Sequence, residues 1–375
     1  MDYHKRLMKA IQNGEDGKNI GIPFSLPELN YSIGGLRKKK YILLGANSSV
    51  GKTALADYMI ISAIKWLMDN PNSCKNLKVF YESLEIDIES KLAKWACLLL
   101  YLTEGIIIDS DSLLSSRRNK VTGEVIKITP VSKKKVEELQ PYFNTIQKYI
   151  EINDKKINPT GIYKRLKNYC EANGKWETII TPTEENGILI DKETKIYKAN
   201  NPEEVVLGVV DHISLQKGEK DNNSGLFLSG KKQIIDKTSE YRVELRNTYE
   251  CAFIDLSQFN RDLGDIQRKK FEEPTPQDSD FKESGVPFED CDICISPFSP
   301  HKYNLNKYRG YDLSNIHVIV RFMYVYVLKN RGGKAPVGIP MRFLGECGFF
   351  EELPYDPLEI DNIYEKITDF KQKIK

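Results

Sequence analysis

The chain of 375 residues is 40% hydrophobic and 29% charged, ordinary composition for a soluble globular protein and enough for one large domain or two. Its net charge of +2 is too small to signal nucleic-acid binding, so any such role rests on local basic clusters: Arg37-Lys38-Lys39-Lys40, Arg117-Arg118, Lys133-Lys134-Lys135, Lys231-Lys232 and Arg268-Lys269-Lys270. Seven scattered cysteines and no apolar leader point to a reducing cytoplasm, and the greasiest stretch, Trp95 to Ile108, is broken by Glu104 and Gly105, which argues against a membrane span.

In chain order, Asp2 to Gly14 is expected to form a short amphipathic helix with Tyr3, Leu7, Met8 and Ile11 on one face. It reads as a linker over residues 1–20 whose apolar side docks on this subunit or on another. From Ile22 onward apolar strands alternate with helical patterns, the signature of an α/β layer with a mostly parallel sheet. The strands expected are Tyr41 to Leu44, Lys78 to Tyr81, Tyr149 to Ile152, Val205 to Val210, Cys251 to Leu256, Asp292 to Ser296, and a final pair, Phe322 to Lys329 and Gly338 to Phe343. Two stretches break the alternation: Val121 to Ile128 reads as a hairpin about Gly123-Glu124. Thr178 to Tyr197 reads as a β meander turning at Asn186-Gly187 and again near Asp191-Lys192, an insertion of about residues 174–200. Cys291 and Cys294, with only His301 nearby, read as positions of a buried strand rather than as a zinc site.

The chemistry begins at Gly45-Ala46-Asn47-Ser48-Ser49-Val50-Gly51-Lys52-Thr53, between the first strand and a helix over Ala54 to Ile60. A strand, glycine-bearing loop and helix in series point backbone N–H groups at a phosphate. Lys52 then reaches the β and γ oxygens, and the Thr53 hydroxyl holds Mg²⁺. Ala46, Ser49, Gly51, Lys52, Thr53 and Ala54 form the expected ATP-binding set. Ala46 stands where the strict pattern has glycine, and Gly45 comes one place too early. Asp211 ends the apolar run Val205 to Val210 and is the second carboxylate for the metal, while Glu82 and Glu85, just past the strand at Lys78 to Tyr81, are both placed to polarise a water.

At Ser83-Leu84-Glu85 the sequence resembles the Ser-Leu-Glu of DnaB-type replicative helicases, hexameric ATPases with a RecA-like P-loop core. The likeness runs over residues 21 to 352, through Gly21-Ile22-Pro23, Gly34-Gly35-Leu36, Leu256 to Arg261, Ser279 to Gly285 with the acids Glu289 and Asp290, Lys329-Asn330-Arg331-Gly332 and Phe343-Leu344-Gly345. The resemblance implies that Glu85 is the general base and that Gln258 senses the γ-phosphate. It also implies that Arg331 is an arginine finger reaching a neighbour's ATP, with Lys329 beside it, and that Lys282, Glu283 and Gly285 belong to a DNA-facing channel loop. Lys217 and Lys220, after Asp211, are further DNA candidates. Departures are Lys282 for an arginine, Lys38-Lys39-Lys40 for a Pro-Gly-Asp turn, His212 for a tyrosine, and no counterpart of the family's N-terminal helical domain.

The expected protein is thus an ATP- and Mg²⁺-dependent motor over residues 21–356, with a tail over 357–375. It would form a homo-oligomeric ring, a hexamer by the resemblance, that translocates on single-stranded DNA and unwinds forked duplex. A primase or helicase loader is the expected partner, and a bacteriophage replisome the expected setting. The alternatives are a RecA-like recombinase, a single-strand translocase, or a non-motor ATP-binding accessory subunit.

Overall fold

Helix α1 (Tyr3–Glu15) buries none of its residues, and Tyr3, Leu7, Met8 and Ile11 all stay exposed on one side. The apolar stripe read from the sequence is therefore present but uncovered by the described residues. Helix α2 (Pro27–Ile33) starts on Pro27 and stops at Gly34, whose φ of 77° no β-carbon favours. Both Glu352 carboxylate oxygens cap it, accepting from the Glu28 and Leu29 amides at 2.8 and 3.0 Å. This computed structural model describes residues 3–185, 188–221, 225–259, 275–281, 284–315 and 319–355, without the side chains of 181–192.

The core then builds as strand and helix in alternation: β1 (Tyr41–Ala46), α3 (Lys52–Asp69), β2 (Asn76–Ser83), α4 (Ile88–Glu104), the short α5 (Ser110–Leu113), α6 (Pro130–Glu137) and α7 (Gln140–Tyr149), β3 (Ile150–Asn153) and α8 (Pro159–Ala172). Next come β4 (Gly174–Glu185), β5 (Ile188–Ala199), β6 (Glu204–Asp211), the two-residue β7 (Glu219–Lys220) and β8 (Phe227–Leu228), α9 (Lys231–Tyr249) and β9 (Ala252–Gln258). The chain continues through α10 (Val286–Asp290), β10 (Ile293–Phe298), β11 (Lys307–Tyr308), β12 (Tyr311–Asp312), β13 (Phe322–Asn330), β14 (Val337–Leu344) and β15 (Phe349–Glu352). Asp87 caps α4, accepting from the Ser90 amide at 2.8 Å, and Gly105 ends it in the left-handed region.

Nine strands form one sheet in the order β15-β14-β13-β10-β1-β9-β6-β2-β3. From β10 to β3 every neighbouring pair is parallel, and β13, β14 and β15 close one side antiparallel. Alternation along β1 makes the two faces distinct: Ile42 and Leu44 pack with α3, α4 and α7, whereas Tyr41 and Leu43 pack with α8 and α9. Helices on both faces bury the parallel strands on both sides, so their sequences are continuously apolar rather than alternating.

All eight expected strands are present, and β15 adds a ninth. Two expectations are corrected. The stretch Val121 to Ile128 forms no extended hairpin; a single antiparallel bridge joins Arg118 to Val125 around Asn119 to Glu124. The expected meander is one long hairpin, β4 with β5, because Pro182 pairs with Asp191 and Thr181 with Lys192 in unbroken register and the second turn does not form. Its base is fixed by Tyr197, whose hydroxyl donates to the Cys170 carbonyl at 2.8 Å, and by Trp176 packed edge-on to Tyr197 and Tyr249. Cys291 and Cys294 are buried, Cys294 within β10, as a strand requires.

Candidate active site

The loop between β1 and α3 turns through two left-handed residues, Ser49 (φ 57°) and Gly51 (φ 88°). A β-carbon on Gly51 would also press on the Phe343 ring at 3.1 Å, so this glycine answers to both backbone and packing. Gly45 has a different cause. A β-carbon there would collide with Phe281 and Phe259, which stack edge-to-face across the end of β1. What position 46 supplies is a carbonyl: the Lys52 ammonium donates to the Ala46 and Asn47 carbonyls, both at 2.9 Å, and the Ala46 methyl is simply buried.

An open cleft of about 430 Å³ lies over this loop, and Ser49, Gly51, Lys52, Thr53, Ala54, Glu85, Asp211 and Gln258 line it. Thr53 Oγ1 donates to Asp211 Oδ1 at 3.2 Å. A hydroxyl beside a carboxylate is the hard-oxygen pair that suits Mg²⁺ together with phosphate oxygens. Asp211 ends β6 and pairs with Ser83 at the end of β2, which brings Glu85 to the same rim. Of the two glutamates, the structure selects Glu85. Glu82 is fully buried, bound by Arg165 and by Asn153 Nδ2 at 2.6 Å, and does not reach the cleft. Gln258 ends β9 opposite Ala46 and donates to the Ser48 hydroxyl of the loop.

Burial pushes the Lys52 ammonium down to about 8, against the pull of Asp211 and Glu85, and nearby Lys302 adds to the fall. Lys302 donates to the Ser48 carbonyl, and burial lowers it too. Lys302 and Lys94, which also lines the cleft, escape notice in the sequence. So does Lys91: this fully buried ammonium lies 3.5 Å from Asp211 Oδ2, 3.2 Å from Asp57 Oδ2 and 2.9 Å from the Tyr81 hydroxyl. The sequence signal for that pair is one acid within the apolar run Leu55 to Ile60 and one lysine ahead of the apolar run Trp95 to Leu100.

Arg331 and Lys329 are not at this cleft. The Arg331 amide donates to the Asp292 carbonyl and the Asp292 amide to the Tyr41 carbonyl, so Arg331 sits by the start of β1 while Lys52 lies past its end. Five residue steps at about 3.3 Å put roughly 17 Å between those levels. Arg331 donates to the Glu289 carbonyl at 2.5 Å and stays half-exposed, and Lys329 donates to the Phe288 and Glu289 carbonyls at 2.5 and 2.8 Å. Arg246 binds Asp292 at 2.9 Å alongside, and burial, then the Arg37 charge, lowers Lys40 in the same cationic group.

Lys217 and Lys220 are exposed beyond the end of β6. Gly285 opens α10, held by Ser284 Oγ donating to Asp236 at 2.5 Å, but Lys282 and Glu283 lie outside the described residues. The bridge from Phe259 to Phe281 brings the Ser279 to Phe281 segment beside the end of β9. Among the described residues no group of three or more His, Cys, Asp or Glu could hold a metal, and no helix is long and apolar enough to cross a membrane.

Residues 144–352 match the sequence profile of the DnaB-like helicase C terminal domain. Over 342 residues the chain is 24% identical to the replicative DNA helicase DnaB of Geobacillus stearothermophilus; the match covers 91% of this chain but spans only 58% of that relative's length. Among solved structures, the ATPase domain of a phage helicase superposes with a TM-score of 0.63 at 18% identity, covering 94% of this chain and 99% of that one. A DnaB-like replicative helicase studied for its interactions with primase gives 0.61 at 19% identity, covering 94% and 67%. These two likenesses show the RecA-like helicase ATPase fold.

Proposed function

This chain belongs to the DnaB-like helicase C terminal domain family, and from that premise we propose that it is the ATP-driven motor of a replicative DNA helicase. It translocates on single-stranded DNA and unwinds duplex at a fork. One observation carries the reading: Lys52, Thr53, Asp211, Glu85 and Gln258 converge on one cleft, while Arg331 stands at the far end of β1, where only another protomer's nucleotide could meet it. A head-to-tail interface of that kind closes into a ring.

In this reading Lys52 exchanges its two carbonyl partners for the β and γ oxygens of ATP, and Thr53 with Asp211 holds Mg²⁺. The metal neutralises charge on the phosphates. Glu85, exposed at the rim, takes the proton of the attacking water, and a neighbour's Arg331 meets the charge on the transferring group. Gln258 reports the γ-phosphate to the Phe259–Phe281 bridge and so to the loop carrying Lys282. Lys217, Lys220 and Lys282, repeated around a ring, supply the phosphate-gripping charge that the chain's net charge does not.

The test is ATP turnover of the assembled protein with and without single-stranded DNA. Turnover should rise with DNA and vanish in Glu85→Gln; indifference to both would remove the motor reading.

A further inference from the structure

We propose that Lys91 is a positioning residue for ATP hydrolysis, its buried ammonium locking the Asp211 carboxylate and the start of α4 into the geometry that Thr53 and a divalent cation require. The inference rests on the function proposed above and names a part of its site that does not touch nucleotide.

The ammonium has three N–H groups and meets three partners: the Tyr81 hydroxyl at 2.9 Å, Asp57 Oδ2 at 3.2 Å and Asp211 Oδ2 at 3.5 Å. Tyr81 in turn donates to Asp57 Oδ1 at 2.8 Å, and its ring lies 4.5 Å from the ammonium. The cage is closed. Asp211 is thereby held on both sides, Oδ2 from the interior by Lys91 and Oδ1 from the cleft by Thr53, so the carboxylate is restrained from rotating.

The four groups come from four elements, α3, β2, α4 and β6, and each sits one step from the chemistry. Asp57 is one turn beyond Thr53 on α3. Lys91 lies in the first turn of α4, whose capping residue Asp87 follows Glu85 by two. One ammonium therefore ties together the helix that carries Thr53, the strand that presents Asp211, and the segment that presents Glu85.

A purely structural ion pair accounts for less. Burying a charge is costly, and well-packed apolar residues usually serve stability as well or better. Here two carboxylates share one cation, and the second is the metal-side one; with Lys91 the trio carries a net charge of −1, and without it −2, in a space where all three side chains are 6% exposed or less.

The test uses the full chain in its assembled state. Because Lys91→Met alone orphans Asp57, two paired variants remove the inner charges as a unit: Asp57→Leu/Lys91→Met, and the near-isosteric Asp57→Asn/Lys91→Gln in case the first does not fold. Melting, assembly, binding of fluorescent ADP without Mg²⁺, and the Mg²⁺ dependence of turnover are measured. Metal-free ADP binding should hold, while the Mg²⁺ needed for half-maximal turnover rises, or maximal turnover falls, about ten- to a hundredfold, as for other groups that orient a metal ligand. A folded pair variant with wild-type Mg²⁺ dependence and turnover, alongside an inactive Glu85→Gln, overturns the role of Lys91 and leaves the motor standing. Unchanged turnover in Glu85→Gln overturns both.

Discussion

Gln258 pairs with Ala46 across the β1–β9 step, so the side chain that reaches Ser48 and the carbonyl that receives Lys52 leave the sheet at one level. Strand β9 runs between the strand bearing the phosphate loop and the strand bearing Asp211. A γ-phosphate seated on Lys52 is thus within reach of Gln258. Gln258→Ala should bind nucleotide normally yet lose stimulation by DNA, lowering DNA-stimulated turnover by about a hundredfold, the usual scale for one lost transition-state donor. Turnover assayed with and without DNA decides it.

The separation of Arg331 from Lys52 makes a complementation experiment decisive. Lys52→Ala protomers lack a working pocket and Arg331→Ala protomers lack the finger, so each alone should turn over roughly a thousandfold more slowly or worse. Mixed, they create interfaces with both groups intact, and activity should return with mixing ratio. Co-assembled mixtures that stay silent would show that Arg331 does not act across an interface.

Lys52 gives a pH dependence with a definite sign. Burial holds its ammonium at about 8 in the nucleotide-free protein, below its ordinary 10.5. Phosphate charge favours the protonated form, so nucleotide binding near and above pH 8 takes up a proton and weakens as pH rises. Calorimetry of ADP binding in buffers of different ionisation heats should show that uptake at about pH 8.5 and its loss in Lys52→Ala. The same depression means the unfolded chain holds this proton more tightly between about pH 8 and 10.5, so this group makes the unliganded fold more stable as pH rises through that window.

Beneath β9, Arg242 of α9 grips Asp255 through two bonds, Nε to Oδ2 at 3.0 Å and Nη2 to Oδ1 at 3.2 Å, both side chains being essentially inaccessible. Arg242→Met strands a buried carboxylate and should cost about 3–5 kcal/mol, whereas Arg242→Met with Asp255→Val should recover most of the loss. Urea unfolding of the three proteins reads the difference directly.

Much of this molecule was legible because its signals are local. The apolar runs at Tyr41 to Leu44 and Val205 to Val210 announce buried strands whatever surrounds them, and the glycine, lysine and threonine after the first are dictated by a turn a few residues long. The connection between β4 and β5 was equally local, but the absence of a second turn near Asp191 was not: polar residues in an exposed strand resemble turn residues until the cross-strand partner is known. Strand β15 is four residues long, too short to show a period, and is defined by its pairing with β14.

By itself, the order of residues determined the alternation of strands and helices, the phosphate loop, and the acids that follow the strands, because backbone preference and side-chain period act within one element. Only the tertiary structure decided that Glu82 is locked inside while Glu85 faces the cleft, that Gly45 exists for two phenylalanine rings, that Arg331 lies a strand's length from Lys52, and that Lys91 is interior. A charge within a helix reads the same whether it meets water or two carboxylates. Which it meets depends on residues brought from 34 and 120 positions away, and packing alone makes that choice.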